Sequence, residues 1–258
     1  MRLLQITNTD PELIYFANEL EIPNYVILSH VWGDEEVTFQ DIQDPLKRKD
    51  MKGWSKVVGA CKQARSEDWE YIWIDTCCID KSSSAELSEA INSMYRYYRK
   101  AEVCYAYLTD MQNDHLGRSF DLNFRMCRWF TRGWMLQELI APPTVFFFTN
   151  EWMKIGTKAS LQETITDITG IPSEVLLSQD GPSECSIAAR MSWAAGRETT
   201  LLSVYSDRTL TAYISDVPRS YSVSKLCTFI VIFRYHVDIC SSLLFGFHLF
   251  SLQDIFSV

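Results

Sequence analysis

The chain has 258 residues, of which 47% are hydrophobic and 13% are aromatic. This composition excludes an intrinsically disordered protein, and the length allows one large domain or one domain with an appendage. The formal net charge of −9 at pH 7 argues against nucleic acid as the main partner, because phosphate binding needs a basic surface.

The 8 cysteines and 4 histidines show no metal-ligand spacing, so the sequence predicts no metal site. The first residues, Met1 to Phe16, lack the basic and then apolar form of a secretion signal. We therefore expect reduced, mostly buried thiols in a cytoplasmic protein. The apolar stretch Leu226 to Phe250 is interrupted by Arg234 and Asp238, which argues against a membrane span.

Apolar runs and helical periodicity alternate along residues 20–155. Buried strands are predicted at Tyr25–Trp32, Tyr71–Asp75, Val103–Leu108 and Thr144–Phe148. Helices are predicted at Trp54–Ser66, from the capping box Ser83–Glu86 to about Lys100, and at Trp129–Leu139, with a polar loop at Gln112–Asn123. This order predicts an α/β fold with a central, mainly parallel sheet and flanking helices. A capping box at Ser160–Glu163 and a helix around Ile187–Ala195 predict a helical extension over residues 156–200.

The polar residues that follow the predicted strands mark the edge where parallel sheets carry their sites. They are Ser29 to Asp34, Asp75 to Asp80 and Thr109 to Met111. Asp75 has two interpretations, as a site carboxylate or as a cap on the turn that follows it. Trp32 lies where its strand leaves the sheet, so it is a candidate for ligand contact rather than for the core.

The segment Arg132–Pro142 is typical of a short helix with an apolar side that begins at Trp134. Glu138 lies in the middle of this apolar run. Because burying an unpaired carboxylate is costly, Glu138 needs either a partner or a task. Two interpretations stay open from the residues alone: a catalytic carboxylate, or a structural carboxylate paired with Arg132 or Arg128.

Blocks of sequence along residues 1–200 resemble the fungal heterokaryon-incompatibility (HET) domain, and they occur in the order of that family. The blocks are Tyr25–Gly33, Trp73–Lys81, Arg132–Leu139 and Ser192–Thr200. The resemblance implies a signalling protein of fungal nonself recognition that triggers cell death when incompatible cells fuse. It also implies partners of two kinds, further copies of the chain or other cell-death signalling proteins.

Residues 201–258 depart from the family pattern. The acidic, helical segment expected after the Gly-Arg-Glu-Thr-Thr block is absent, and Leu201 onward has no clear period of either kind. We hypothesise that this tail is not native family sequence, but the product of an unspliced intron or a frame change. Transcripts that continue in this frame past Thr200 would refute the hypothesis.

A shorter similarity to TIR domains suggests chemistry. In those domains the first strand and turn are similar to Tyr25–Ser29 and Gly33–Glu35, and plant members have a tryptophan four residues before a glutamate that serves NAD cleavage. Trp134 and Glu138 have this spacing. The resemblance implies an α/β, TIR-like fold and a possible NAD glycohydrolase, with NAD as substrate and without a metal or cofactor.

In such a reaction Glu138 would stabilise the oxocarbenium-like state at the ribose. Trp32 or Trp134 would stack on a base or on the nicotinamide ring, and Ser29 with the turn amides of Gly33–Asp34 would hold phosphates. The alternative is a non-enzymatic interaction module that recruits cell-death partners through the same surface.

Overall fold

A computed structural model describes residues 1–112, 118–178, 182, 185–195 and 197 of the chain. Its strands are Arg2–Gln5 (β1), Glu12–Tyr15 (β2), Val26–His30 (β3), Tyr71–Trp73 (β4), Val103–Tyr107 (β5), Val145–Phe148 (β6) and Lys154–Thr157 (β7). Its α-helices are Phe39–Ile42 (α1), Lys47–Asp50 (α2), Trp54–Ser66 (α3), Asp75–Cys78 (α4), Ser84–Lys100 (α5), Arg118–Arg125 (α6), Met135–Ile140 (α7), Gln162–Thr169 (α8), Ser173–Leu177 (α9) and Ile187–Ala194 (α10).

The strands form a mixed sheet in the order β2-β1-β4-β3-β5-β6-β7. Its centre is parallel, because β3 pairs with β4 and β5, and β5 pairs with β6, in the parallel sense. Antiparallel strands β1, β2 and β7 complete the sheet on either side. Every residue of β3 and β5 is buried, as expected where both faces of a sheet are covered. The predicted α/β class with a mainly parallel centre is confirmed.

The antiparallel strands are absent from the sequence-based prediction. β1 and β2 form a hairpin in which Arg2 pairs with Tyr15 and Gln5 pairs with Glu12. β7 occupies Lys154–Thr157, where the sequence predicts the start of a helical extension. These strands are four residues long, and β2 and β7 have no fully buried residue, so neither carries the apolar run that identifies the central strands.

The predicted continuous helix over Trp129–Leu139 is wrong. The chain forms a 3₁₀ turn at Arg128–Thr131, extends at Arg132 with φ −75° and ψ 138°, and then begins α7. The physical reason is an ion pair between Arg132 and Glu138. Residues six apart lie on different faces of a continuous helix, so this pair requires the break.

Two other local predictions fail, whereas one cap is present. The second half of the predicted polar loop, Gln112–Asn123, belongs to helix α6. Ser160, predicted to cap the next helix, does not cap α8. The Ser160 hydroxyl instead accepts a hydrogen bond from the Thr157 amide at 2.8 Å, and α8 begins after Leu161. Ser83 caps α5 as predicted, because its hydroxyl accepts from the Glu86 amide at 3.3 Å.

A cluster of aromatic rings packs against Phe147 of β6. The Trp129 and Phe147 rings meet edge to face with centroids 5.6 Å apart, and Phe124 and Phe130 complete the cluster. All four side chains are buried. The core therefore fixes the position of Trp129, whose indole N–H belongs to the site described below.

The described cysteines are free thiols. Burial raises the pKa of Cys61 and of Cys78 to about 12, so these thiols stay protonated near neutral pH. No helix in the described part of the chain is long and apolar enough to cross a membrane. The predicted atypical tail, residues 201–258, lies outside the described residues.

Candidate functional site

The carboxyl end of β3 carries two neighbouring polar residues, Ser29 and His30, both buried. Because successive side chains of a strand point to opposite faces, the two residues begin two separate groups of contacts. Ser29 contacts the segment around α7, whereas His30 contacts α3 and α4. We call these groups the Glu138 cluster and the Asp75 cluster.

The Glu138 cluster consists of Ser29, Trp129, Arg132 and Glu138. The Ser29 hydroxyl donates to Glu138 Oε2 at 2.5 Å and accepts from the Trp129 indole N–H at 2.6 Å. Arg132 donates from both terminal nitrogens, at 2.9 Å to Oε2 and 3.3 Å to Oε1. The Glu138 side chain is 7% exposed, so the cluster is a buried and compensated carboxylate.

The surroundings of Arg132 keep its guanidinium group charged. Burial lowers the pKa of Arg132, but the charge and hydrogen bonding of Glu138, together with Tyr98 and Asp75, offset that effect, and the net pKa lies above its ordinary value. Nearby, burial and the Glu138 charge raise the pKa of Tyr98 and of Cys104. The negative charge of Glu138 is therefore balanced by Arg132 within a surrounding of neutral groups.

The Asp75 cluster consists of His30, Trp32, Asp75 and Lys81. Asp75 Oδ1 lies 3.0 Å from His30 Nε2, and Oδ2 accepts from the Trp32 indole N–H at 2.9 Å. The Lys81 ammonium lies 3.5 Å from the centroid of the Trp32 ring. Trp32 is 48% exposed, so this cluster opens to solvent.

Asp75 is ionised. Burial raises the pKa of Asp75, but the hydrogen bond and charge of His30, with the charges of Lys81 and Arg132, hold it well below its ordinary value. The influence of Arg132 on Asp75 places the two clusters within electrostatic range of each other. The structure gives Asp75 no capping bond to α4, which removes the capping interpretation of this residue.

A buried lysine extends the Asp75 cluster inward. Lys56 Nζ lies 2.7 Å from His30 Nδ1 and donates to Glu36 Oε1 at 2.5 Å. The two ring nitrogens of His30 therefore face Lys56 on one side and Asp75 on the other. The same Glu36 oxygen accepts from the Gly33 amide at 2.6 Å. Glu36 therefore links the turn after β3, through Gly33, to helix α3, through Lys56.

The structure brings together most of the residues that the sequence singles out. Ser29 joins Glu138 on one face, and Trp32 joins Asp75 at the other. The predicted phosphate contacts are occupied in part, because the Ser29 hydroxyl is bonded on both sides and the Gly33 amide donates to Glu36. Asp34 is exposed, and Trp134 is half-buried immediately before α7.

Two cations of the site, Lys56 and Lys81, have no role in the sequence-based prediction, whereas Arg132 is named there as one of two candidate partners of Glu138. A signal for Lys81 exists, since it lies one residue beyond the polar stretch Asp75 to Asp80 that follows β4. Lys56 has none, because a lysine within an amphipathic helix ordinarily faces solvent.

These features define an α/β domain with a charged site at the carboxyl edge of a parallel sheet. A profile of the family described as "Heterokaryon incompatibility protein (HET)" matches residues 25–125, which include β3, β4 and β5. The vegetative incompatibility protein HET-E-1 of Podospora anserina is 47% identical over 187 residues, covering 70% of this chain. The chain belongs to the HET family.

The chain spans 14% of the length of that relative, so the likeness concerns one part of a much longer protein. No solved structure matches the chain significantly. The similarity to TIR domains and the roles of the individual site residues stay predictions.

Proposed function

We propose that this chain is a signalling domain of fungal nonself recognition that triggers cell death from the cytoplasm, and that it does so by cleaving NAD at Glu138. Membership of the HET family and the likeness to a vegetative incompatibility protein support the first part. The observation that carries the second part is a buried carboxyl group, Glu138, held by Arg132 and Ser29 at the carboxyl edge of the sheet.

The proposed reaction breaks the bond between the nicotinamide nitrogen and the ribose. Nicotinamide leaves with the bonding electron pair and becomes neutral, and positive charge develops on the ribose. Glu138 would stabilise that charge, and a water molecule then adds to the ribose carbon and gives up a proton, yielding ADP-ribose. Oε1 is the oxygen suited to this role, since it accepts a single hydrogen bond, at 3.3 Å from Arg132.

Ser29 and Arg132 would then act by orienting the carboxylate. Ser29 and one Arg132 nitrogen both bind Oε2, so this oxygen is fixed while Oε1 keeps acceptor capacity. Charge-assisted hydrogen bonds of this kind hold a carboxylate in a single orientation without neutralising it. Self-association of copies would switch the activity on.

The second candidate is a non-enzymatic module that recruits cell-death partners. The pairing of Glu138 favours it, because a carboxyl group that is bonded by Ser29 and Arg132 has the contacts of a structural residue. In that case the surface around Trp32 would serve as a contact for other proteins rather than for NAD.

Expression in fungal cells distinguishes the two candidates. The variants are wild type, Glu138→Gln, which keeps the size of the side chain but removes its charge, and Lys62→Met as a control at an exposed lysine of α3. The proposal predicts that wild type and Lys62→Met lower cellular NAD before viability falls, whereas Glu138→Gln does neither at equal protein abundance. Killing by Glu138→Gln with unchanged NAD would refute cleavage and support recruitment.

A further inference from the structure

Lys81 is a cation at the open end of the site whose donors are unused. Its ammonium lies 3.9 Å from Asp75 Oδ2, too far for a hydrogen bond, and it donates none to any other described residue. The side chain is 33% exposed, and burial lowers the pKa of Lys81 although Asp75 opposes the effect. A partly desolvated ammonium without acceptors is costly, and an anionic ligand would supply the missing acceptors.

The other charges near Lys81 are already committed. Asp75 uses one oxygen for His30 and the other for Trp32, so it only loosely compensates Lys81. Arg132 is paired with Glu138 in the neighbouring cluster. Among the described charges of the two clusters, Lys81 is therefore the cation with the most capacity for a new partner.

Trp32 gives the same place a flat apolar surface. The Lys81 ammonium covers the indole ring at 3.5 Å, in the geometry of a cation–π contact, while the residue remains 48% exposed. The ring is held in place because its N–H donates to Asp75. A fixed, half-exposed aromatic ring beside an under-used ammonium suits a ligand that joins an aromatic base to phosphate.

We propose that Lys81 and Trp32 form a nucleotide subsite, in which the ammonium binds the phosphate groups and the indole face away from Lys81 stacks on a base. The inference rests on the proposed function, since it names where the diphosphate of NAD would lie. It also replaces the phosphate contacts expected from the sequence, because the Ser29 hydroxyl is buried and bonded and the Gly33 amide is occupied by Glu36.

The subsite is tested by equilibrium binding, with ADP and adenosine as probes. Neither probe has a nicotinamide bond, so binding is measured on the full chain by titration calorimetry without turnover. Wild type should bind ADP more tightly than adenosine. Lys81→Met should weaken the binding of ADP at least about tenfold and leave the affinity for adenosine nearly unchanged. This is the effect expected for the loss of one charge-assisted contact.

Matched variants separate charge from folding. Lys81→Arg keeps the cation and should restore most of the affinity for ADP, and Lys62→Met, at an exposed lysine, should bind as wild type does. Equal thermal unfolding of the variants establishes that they are folded. If Lys81→Met does not fold, Lys81→Gln takes its place in the comparison.

The outcomes distinguish this inference from the proposed function. Lys81-dependent binding of ADP without nicotinamide release from NAD would support the subsite and remove the cleavage reaction. Nicotinamide release with the same ADP affinity in Lys81→Met and wild type would overturn the subsite and leave the reaction in place. Failure of wild type to prefer ADP over adenosine would also overturn the subsite.

Discussion

The two clusters at the end of β3 differ in how they compensate their charge. The Glu138 cluster is closed: its carboxylate is 7% exposed and is bonded by a hydroxyl and a bidentate guanidinium. The Asp75 cluster is open: its carboxylate is held by His30 and Trp32, and Lys81 approaches it without a hydrogen bond.

The difference separates two tasks that one site needs. A closed cluster can hold a charge in a fixed orientation in a low-dielectric surrounding, where its effect on a reacting group is large. An open cluster can exchange water for a ligand. The two clusters would not differ in this way if loss of Arg132 left the stability of the protein unchanged, or if the Asp75 cluster contributed as much to stability as the Glu138 cluster.

Loss of the Glu138 counter-charge should have the largest effect. Arg132→Met leaves a buried carboxylate with only the Ser29 hydroxyl, and should lower the free energy of unfolding by about 3–5 kcal/mol. Urea titration measures the change. Adding Glu138→Gln to that variant should recover part of the loss, and Lys81→Met in the open cluster should cost under about 1 kcal/mol. Equal effects of the Arg132 and Lys81 changes would contradict the distinction between closed and open.

The closed cluster is also held from the far end of α7 by Lys158. The buried ammonium donates to the carbonyls of Leu139 at 3.2 Å and Pro142 at 2.7 Å. Burial lowers the pKa of Lys158 from 10.5 to about 8. Between these values the unfolded chain binds more protons, so the folded state gains stability as the pH rises through this window.

The corresponding measurement is a pair of urea titrations, at pH 8 and at pH 10.5, on wild type and Lys158→Met. The stability of wild type relative to the variant should increase by about 3 kcal/mol over this range. The difference between the two proteins isolates Lys158, since other groups titrate in both. A relative stability that stays constant would show that Lys158 is not buried as described.

In the open cluster, Asp75→Asn should lower the free energy of unfolding by a smaller amount, and the loss should depend on pH. Its pKa lies below the ordinary 3.8 in the folded protein, so ionised Asp75 stabilises the fold above about pH 4, and this contribution is lost as the pH falls through lower values. We expect a loss of about 1–2 kcal/mol at pH 7 that shrinks by pH 3. Chemical unfolding of both proteins at the two values checks it, and a difference that grows in acid would contradict the assignment.

One chemical change made in both clusters gives the most closely matched comparison, and at Trp32 the smallest effect. Trp129→Phe removes an indole N–H that donates to Ser29 inside the core, and Trp32→Phe removes one that donates to Asp75 at the surface. The buried change should cost about 1–3 kcal/mol and the exposed one a few tenths. Thermal unfolding of the two variants compares them directly. A larger effect at Trp32 would reverse the interpretation of the two clusters.

The sequence predicts the centre of this fold better than its edges. Long apolar runs identify β3, β5 and β6, whose neighbours cover both faces, whereas β2 and β7 are short and incompletely buried. The break before α7 escapes prediction for a different reason. It depends on an ion pair between Arg132 and Glu138, and local periodicity does not report which residues will pair.

Site residues follow the same division. Ser29, Asp75 and Trp32 are found because they end apolar strands, and Glu138 because it interrupts an apolar run. Lys56 and Lys81 escape prediction, whereas Arg132 does not, since a lysine such as Lys56 on an amphipathic helix gives no sign that it faces inward. Pairing across long sequence separation is visible only once the sheet places the partners together.

Catalysis by Glu138 is tested by measuring nicotinamide release from NAD by the purified full chain, clustered on a scaffold, for wild type and Glu138→Gln. Calorimetry or circular dichroism must first show that the variant is folded. A catalytic Glu138 predicts release by wild type and none by the variant. Equal release by both proteins, or none from clustered wild type, would contradict a catalytic Glu138 and leave this residue as the structural partner of Arg132.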